Sequence, residues 1–141
     1  MQTSARNMFP GTVSKVTKGA VNAEIELTLA GGGKIIAGIT NPSVDRLGLK
    51  PGSKATALIK ASWIILGKDL HAKKLSTRNI LCGTVEKVQE GAVNSEVIVK
   101  LEGGHSLAVI ITNESARSLG FKKGDHACGA FKAPHVILGV E

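Results

Sequence analysis

The clearest hydrophobic pattern in the chain runs from Val21 to Leu29, where apolar residues occupy every second position and polar residues lie between them. Such alternation is typical of a β-strand with one face on a core and the other toward solvent. Three glycines at 31–33 can supply the positive φ angles of a tight hairpin, and a strand over 34–40 follows them. A shorter β-rich stretch from Met8 to Val16 precedes the alternating segment. These patterns predict three consecutive strands.

The segment "TNPSVDRLGLKPG" that follows predicts a short helix between a start and a stop signal. We expect Asn41 at the N-cap, Pro42 at the first helical position and Gly48 as the left-handed residue that ends the helix. Two more strands are predicted, over 54–60 and 63–66. Five short strands and one helical turn indicate a small, closed or nearly closed OB-like β-barrel.

The whole pattern occurs twice. Residues 4–67 align without a gap on residues 76–139, and 30 of the 64 aligned positions are identical. "SARN" at position 4 returns as "STRN" at position 76, and "GAVN", "ITN" and "ILG" also recur at the same shift. We therefore expect a tandem duplication with one domain at 1–67, a polar linker at 68–74 and a second domain at 75–141. A barrel of this size has a small core, so we also expect pairing of the two copies and oligomerisation.

Charge is distributed unequally between the copies. The chain has a net charge of +7, and all of this excess lies in residues 1–74, whereas residues 75–141 are neutral. A basic protein favours an anionic partner without specifying which one. No apolar run reaches the roughly 20 residues that cross a bilayer, and no secretory signal is evident, so we expect a cytoplasmic protein. Two cysteines, Cys82 and Cys128, are too few for a disulfide framework, and we expect both as free thiols.

Residues typical of catalysis or of cation binding are scarce. The four histidines are isolated, and none has a metal-ligand spacing to Cys82 or Cys128. Nucleophile elbows, phosphate-binding loops and calcium loops are missing from the sequence, and "LAGGGK" precedes a strand rather than a helix. The sequence therefore predicts neither an enzyme nor a metal-cation site.

Both copies instead share hydrogen-bond donors without a paired acid, which suit an oxyanion better than acid–base catalysis. The donors are a serine, an arginine and an asparagine near the start of each copy, a threonine and a serine at the short helix, and a lysine after the fourth strand. Taken singly, each has a simpler role as a surface, capping or edge-strand residue. Their joint occurrence in both copies favours an anion site.

"SARN", "GAVNAE", "ITNPSVDRLGLKPG" and "IKASW", in this order and spacing, closely resemble the molybdenum-pterin-binding (Mop) domain of molbindins. The resemblance covers residues 3–67 and 75–141 and implies two tandem OB-like five-stranded barrels, each with one short helix. It further implies reversible binding of molybdate, and of tungstate as its analogue, in the cytoplasm, with no metal cation and no reaction. Assembly around a three-fold axis is implied as well, so we expect a homotrimer that acts as a free-standing molybdate store or buffer.

The resemblance implies specific site residues, with each pocket formed between domains. In the first copy these molybdate-binding residues are Ser4, Arg6, Thr40, Ser43, Lys60 and Ala61. In the second copy they are Ser76, Arg78, Thr112, Ser115, Lys132 and Ala133. Weaker oxyanion sites near the three-fold axis are implied at the "GAVN" turns, namely at Gly19, Val21, Asn22, Gly91, Val93 and Asn94.

The second copy departs from the family pattern at Glu114 and at Pro134, where the first copy has Pro42 and Ser62. Proline has no backbone N–H, so the second pocket is expected to lack a donor and to differ in affinity.

The main alternative function is an OB-fold protein that binds single-stranded nucleic acid. With three phenylalanines, one tryptophan and no tyrosine, the chain offers few residues for base stacking. A structural subunit or an enzyme built on oligomeric barrels is a third alternative. We expect a small inorganic oxyanion as the partner, with no nucleic acid and no membrane.

Overall fold

The computed structural model describes all residues from Met1 to Glu141 and contains two five-stranded antiparallel sheets. The first copy forms β1 (Asn7–Lys18), β2 (Asn22–Leu29), β3 (Lys34–Thr40), α1 (Asn41–Leu47), β4 (Lys54–Ile59) and β5 (Ile65–Gly67). The second copy forms β6 (Asn79–Glu90), β7 (Asn94–Leu101), β8 (Ser106–Thr112), α2 (Asn113–Leu119), β9 (His126–Phe131) and β10 (Ile137–Gly139). This architecture confirms the predicted mainly β fold of two tandem OB-like domains.

The last strand of each copy lies in the other copy's sheet. The strand orders are β10-β4-β1-β2-β3 and β5-β9-β6-β7-β8, so β10 and β5 are exchanged between the copies. Buried apolar side chains from both copies form one continuous cluster of 26 residues. The copies therefore share a core, which enlarges the small apolar interior that one copy has alone.

Two buried asparagines join the copies at the sheet edges. The Asn7 amide donates to the Ala108 carbonyl at 2.8 Å and accepts from the Ala108 N–H at 2.8 Å. Asn79 makes the same pair of bonds to Ile36, at 2.7 and 2.8 Å. Because Ile36 and Ala108 lie on the edge strands β3 and β8, these amides satisfy backbone groups that no strand pairs with.

Equivalent residues of the two copies also meet each other, which shows that the copies are related by a local two-fold axis. The rings of Trp63 and of its counterpart His135 lie 5.3 Å apart. Gly31 and its counterpart Gly103 approach so closely that a Cβ on Gly31 would lie 2.8 Å from the Gly103 Cα. The duplication has therefore produced a two-fold dimer within one chain.

The predicted alternation in β2 is correct except at its first residue. Ala23, Ile25, Leu27 and Leu29 are buried, whereas Val21 is 70% exposed. Val21 precedes the strand, and its carbonyl accepts from the Asn41 N–H at 3.0 Å. The residue therefore belongs to a turn whose geometry is set by the helix start.

The helix prediction is correct except for the N-cap. Thr40, not Asn41, caps α1: its hydroxyl accepts from the Ser43 N–H, and Asn41 is already helical. Gly48 ends the helix at φ 65°, in the left-handed region that glycine adopts without strain. The strand predicted over 63–66 is also displaced, because Ala61–Trp63 forms a single 3₁₀ turn and β5 begins at Ile65.

The expectation of free thiols is wrong. Cys82 on β6 and Cys128 on β9 are directly opposite each other in the sheet and form a disulfide. The ligand atoms of these cysteines and of His126 also lie within 4.8 Å of one another. Sequence spacing missed this group because Cys82 is distant in the chain and is brought to the others by strand pairing.

No helix is long and apolar enough to span a bilayer.

Candidate functional site

Four of the predicted second-copy residues line one cleft. Ser76, Arg78, Lys132 and Ala133 surround a space of about 330 Å³, and Glu24 of the first copy closes one side of it. Lys132 donates from Nζ to the Ser76 carbonyl at 2.7 Å, which links the start of the second copy to the end of β9. The cleft therefore collects one guanidinium, one ammonium and one hydroxyl from chain segments that are distant in sequence.

The start of α1 reaches a second cleft that adjoins the first. Thr40 lines it together with Ala133 and Pro134 of the second copy, and Glu24 lines both clefts. The structure thus places the helix start of one copy beside the lysine-containing turn of the other. Ser43 does not line either cleft; its N–H and its hydroxyl are hydrogen-bonded to Thr40.

The start of α2 in the second copy and the 3₁₀ turn of the first copy repeat this arrangement in part. Thr112, Ser115 and Asn94 of the second copy line a cleft with Ser62 of the first, the counterpart of Pro134. Thr112 caps α2 as Thr40 caps α1, accepting from the Ser115 N–H at 3.1 Å. The capping role that these residues have in most proteins is therefore present in both helices.

The first copy's own donors are arranged differently. The Lys60 ammonium lies 5.5 Å from the centre of the Trp63 ring, a cation–π distance, whereas its counterpart Lys132 has a histidine at the corresponding position and reaches Ser76 instead. Ser4 is exposed, and Ala61 is buried. Lys60 therefore makes no hydrogen bond to the start of its own copy of the kind that Lys132 makes to Ser76.

The expectation of donors without a paired acid is wrong for the arginines. Arg6 contacts Glu96 of the other copy at 2.5 Å, and Arg78 is paired with Glu24 in the reciprocal position. The hydrogen bond from Arg6 lowers the pKa of the Glu96 carboxyl, and the same contact raises the pKa of Arg6. Each of these two arginines is thus paired with a carboxylate of the other copy.

Sequence reasoning overlooked these two glutamates, although a signal for them existed. Glu24 and Glu96 are identical residues at equivalent positions of the repeat. Both lie at polar positions of an alternating strand, where a charged side chain is usually no more than a solvated surface group. Their pairing with the arginines depends on how the two copies pack against each other.

The amides of Asn7 and Asn79, counted among the shared anion donors, have another role. Both polar groups of each amide are engaged with the edge strand of the other copy, as described above. They hold "SARN" and "STRN" against the neighbouring copy, and so position Arg6 and Arg78 without being free to bind a ligand.

The "GAVN" turns lie beside the helix starts. The N–H of Gly19 donates to the Asn22 carbonyl at 2.7 Å, and the Asn41 amide donates to the Gly19 carbonyl at 3.0 Å. The second copy repeats both bonds through Gly91, Asn94 and Asn113. Asn22 and Asn94 are exposed, as are Val21 and Val93 at 70% and 73%.

A further difference between the copies lies beneath these turns. The Asn113 Oδ1 accepts from the Ser95 hydroxyl at 2.6 Å, whereas the equivalent Asn41 Oδ1 is buried without a partner because Ala23 replaces the serine. The side-chain amide oxygen is therefore hydrogen-bonded in the second copy and lacks a partner in the first.

Known proteins share this architecture. Residues 3–66 and 75–138 match the TOBE domain. A structure described as the cytoplasmic molybdate-binding protein ModG with molybdate bound is 45% identical, has a TM-score of 0.95 and is covered over 100% of both chains. The molybdenum-pterin-binding protein MopA of Rhodobacter capsulatus is 44% identical over 140 residues, which are 99% of this chain and 53% of MopA. The molybdenum transport protein ModE of Herbaspirillum seropedicae is 40% identical over 141 residues, which are 100% of this chain and 52% of ModE.

The chain spans about half the length of the curated relatives it matches. The two TOBE matches together cover nearly all of its residues and coincide with the two halves of the internal repeat. On this evidence the chain belongs to the TOBE-domain family, with two Mop-like domains in tandem.

Proposed function

We propose that this protein binds molybdate reversibly, and tungstate as its analogue, at clefts between its copies and between its subunits. It would act in the cytoplasm in molybdenum storage or homeostasis, without catalysing a reaction. The observation that carries the proposal is the cleft in which Ser76, Arg78 and Lys132 converge beside Thr40 of the other copy. The likeness to ModG over the full length of both chains, with molybdate as that protein's described ligand, supports molybdate as the oxyanion.

The chemistry of the cleft suits a tetrahedral dianion. Arg78 and Lys132 supply two positive charges, and the Ser76 hydroxyl and the backbone N–H of Ala133 supply neutral donors. Charge matching together with hydrogen bonds offsets the loss of hydration that a dianion suffers on leaving water. Since nothing in this set forms a covalent bond to the oxyanion, capture is reversible.

Glu24 adds a condition to binding. Its carboxylate is paired with Arg78 and lines the cleft, so it would repel a dianion unless the arginine bridges the two. The guanidinium has five N–H donors and can contact a carboxylate and an oxyanion with different faces. Arg78 would thereby lie between the Glu24 carboxylate and the oxyanion and offset their repulsion.

Assembly into a homotrimer is part of the proposal. Val21, Val93, Ile65 and Ile137 are 56–73% exposed, an unusual degree of exposure for large apolar side chains that recur at equivalent positions of a repeat. Burial of these residues between subunits would remove them from water and would bring residues of the first-copy set, such as Arg6 and Lys60, to a neighbouring subunit's helix start. Light scattering coupled to gel filtration measures the mass, and a monomer would contradict this part.

Equilibrium dialysis tests the proposed function. The purified protein is dialysed against molybdate, tungstate and sulfate at micromolar concentrations, with a single-stranded oligonucleotide in a parallel experiment. We expect retention of molybdate and tungstate and weaker retention of sulfate, whose shorter bonds fit the same donors less well. Failure to retain molybdate, or stronger retention of the oligonucleotide, would refute the proposal.

A further inference from the structure

A group of potential metal ligands lies on the second sheet, outside the proposed oxyanion clefts. Cys82 and Cys128 face each other across β6 and β9 with their Cα atoms 4.0 Å apart. His126 lies two residues before Cys128, and alternate residues of a strand point to the same face. The ligand atoms of all three residues lie within 4.8 Å of one another.

The first copy forms the same pair of strands without these residues. Pro10, Lys54 and Thr56 occupy the equivalent positions, and Lys54 donates to Thr12 at 2.9 Å. Neither the fold nor the strand pairing therefore requires two sulfurs and an imidazole at this place. Their presence in only one copy indicates a property that the second sheet has acquired in addition to its architecture.

The surroundings allow a metal ion to approach from one side. Cys128 is buried, Cys82 is partly exposed and His126 is exposed, so the group opens to solvent along the β6 side and at the start of β9. On the other side of β9, Cys128 is opposite Gly67 of β5, which has no side chain. None of the three ligands lines the clefts that contain the proposed oxyanion residues.

We propose that, once the disulfide is reduced, Cys82, Cys128 and His126 bind Zn²⁺. A dithiol reductant opens the disulfide by thiol–disulfide exchange: it loses two hydrogens and becomes a cyclic disulfide, while both cysteines become thiols. Metal binding then releases two protons, because the thiolates are the ligands. Two thiolates and one imidazole occupy three positions of a tetrahedral zinc site, and water occupies the fourth.

The disulfide and the metal are mutually exclusive occupants of this site. A sulfur bonded to another sulfur has no negative charge to give a cation, so the oxidised protein should not bind Zn²⁺ there. The structure described here is the disulfide-bonded form of this cysteine pair. The inference does not depend on the proposed oxyanion function.

Metal titration of the whole chain under anaerobic conditions tests the inference. The protein is reduced, freed of reductant and titrated with Zn²⁺ against a chromophoric chelator, and in parallel with Co²⁺, whose visible spectrum reports thiolate ligation and tetrahedral geometry. We expect one tight site per chain in the reduced protein and none in the oxidised protein. Reduced protein that binds no zinc, or a cobalt spectrum without thiolate bands, would overturn the proposal.

Variants separate a built site from adventitious binding by thiols. His126→Ala keeps both sulfurs, and we expect zinc affinity at least about tenfold weaker, since even residues that only orient metal ligands contribute that much. His71→Ala in the linker is the matched histidine control and should bind as the parent does. Cys82→Ser should remove the site, with circular dichroism confirming its fold. Unchanged affinity in His126→Ala would show that the histidine is no ligand and would overturn the three-ligand site.

Discussion

The two copies have nearly the same backbone but differ in the contacts that their side chains make. Both have a threonine-capped helix, a left-handed glycine at its end and a buried asparagine that satisfies the edge strand of the other copy. They differ where side chains meet: Lys60 lies over a tryptophan ring, whereas Lys132 reaches Ser76. The two copies thus share a backbone, and the different contacts of Lys60 and Lys132 follow from positions at which the two sequences differ.

The largest expected effect is a loss of stability when the asparagine hydrogen bonds between the two copies are removed. Asn79→Ala leaves the N–H and carbonyl of Ile36 without partners, and Asn7→Ala does the same to Ala108. We expect each change to lower the free energy of unfolding by about 2–3 kcal/mol. Urea denaturation at fixed protein concentration measures it, with the exposed Gln89→Ala as control. Variants as stable as this control would show that the amides do not hold the copies together.

The next largest effect is expected when a lysine of the proposed oxyanion clefts is removed. Lys132→Ala and Lys60→Ala each remove a charge-assisted hydrogen bond to the proposed oxyanion, worth about 1.5–3 kcal/mol, so affinity at one class of sites should fall roughly tenfold to a hundredfold. Lys123→Ala, a loop lysine outside the clefts, is the matched control. Isothermal titration with molybdate distinguishes the classes. Unchanged stoichiometry and affinity in both lysine variants would contradict the site assignment.

The hydrogen bond to the buried asparagine oxygen, present only in the second copy, can be removed there and introduced into the first copy by single substitutions. Ser95→Ala should destabilise the second copy by about 1–2 kcal/mol, because it creates there the unpartnered amide oxygen that the first copy already has. The reciprocal Ala23→Ser should stabilise the first copy, since the equivalent serine fits the same backbone. Thermal denaturation of both variants tests the pair, and shifts of the same sign would contradict it.

Pro134, two residues after Lys132, and its counterpart Ser62 can likewise be swapped to test whether they set the difference in molybdate affinity between the copies. Pro134→Ser restores a backbone N–H and a hydroxyl beside the cleft, and we expect the second class of sites to bind molybdate roughly 2- to 10-fold more tightly, the worth of one net hydrogen bond. Ser62→Pro should weaken the first class. If the two substitutions leave the ratio of the two affinities unchanged, this turn does not set the difference between the copies.

The smallest effect concerns pH. The folded protein lowers the pKa of Glu96 through Arg6, so this pair stabilises the fold above the pKa of an unfolded glutamate and loses that contribution as the pH falls through the lower folded value. Arg6 is about half exposed, so solvent screens the pair, and we expect a contribution of less than about 1 kcal/mol. The stability difference between the parent and Glu96→Gln should therefore be largest at neutral pH and disappear in acid. Glu86→Gln, an exposed glutamate without a partner, should show no such trend.

The cysteines show where sequence reasoning reaches its limit. Cys82 and Cys128 are separated by 46 residues, and composition favoured free thiols. Only the antiparallel register of β6 and β9 places them opposite each other, with His126 on the same face. Register is fixed by the alternation of the whole strand against the core, so a pair of residues taken alone does not reveal it.

The sequence alone determined the duplication, the strands, the helix and the residues that carry a resemblance to anion-binding domains, because periodicity, capping and turn chemistry act over a few neighbouring residues. The tertiary structure decided the strand exchange, the asparagine hydrogen bonds at the sheet edges, the arginine–glutamate pairs and the disulfide. All of these join positions that are remote in the chain and depend on how two similar units bury their apolar faces together. Local preferences specify each unit, and shared burial decides which of their polar groups meet.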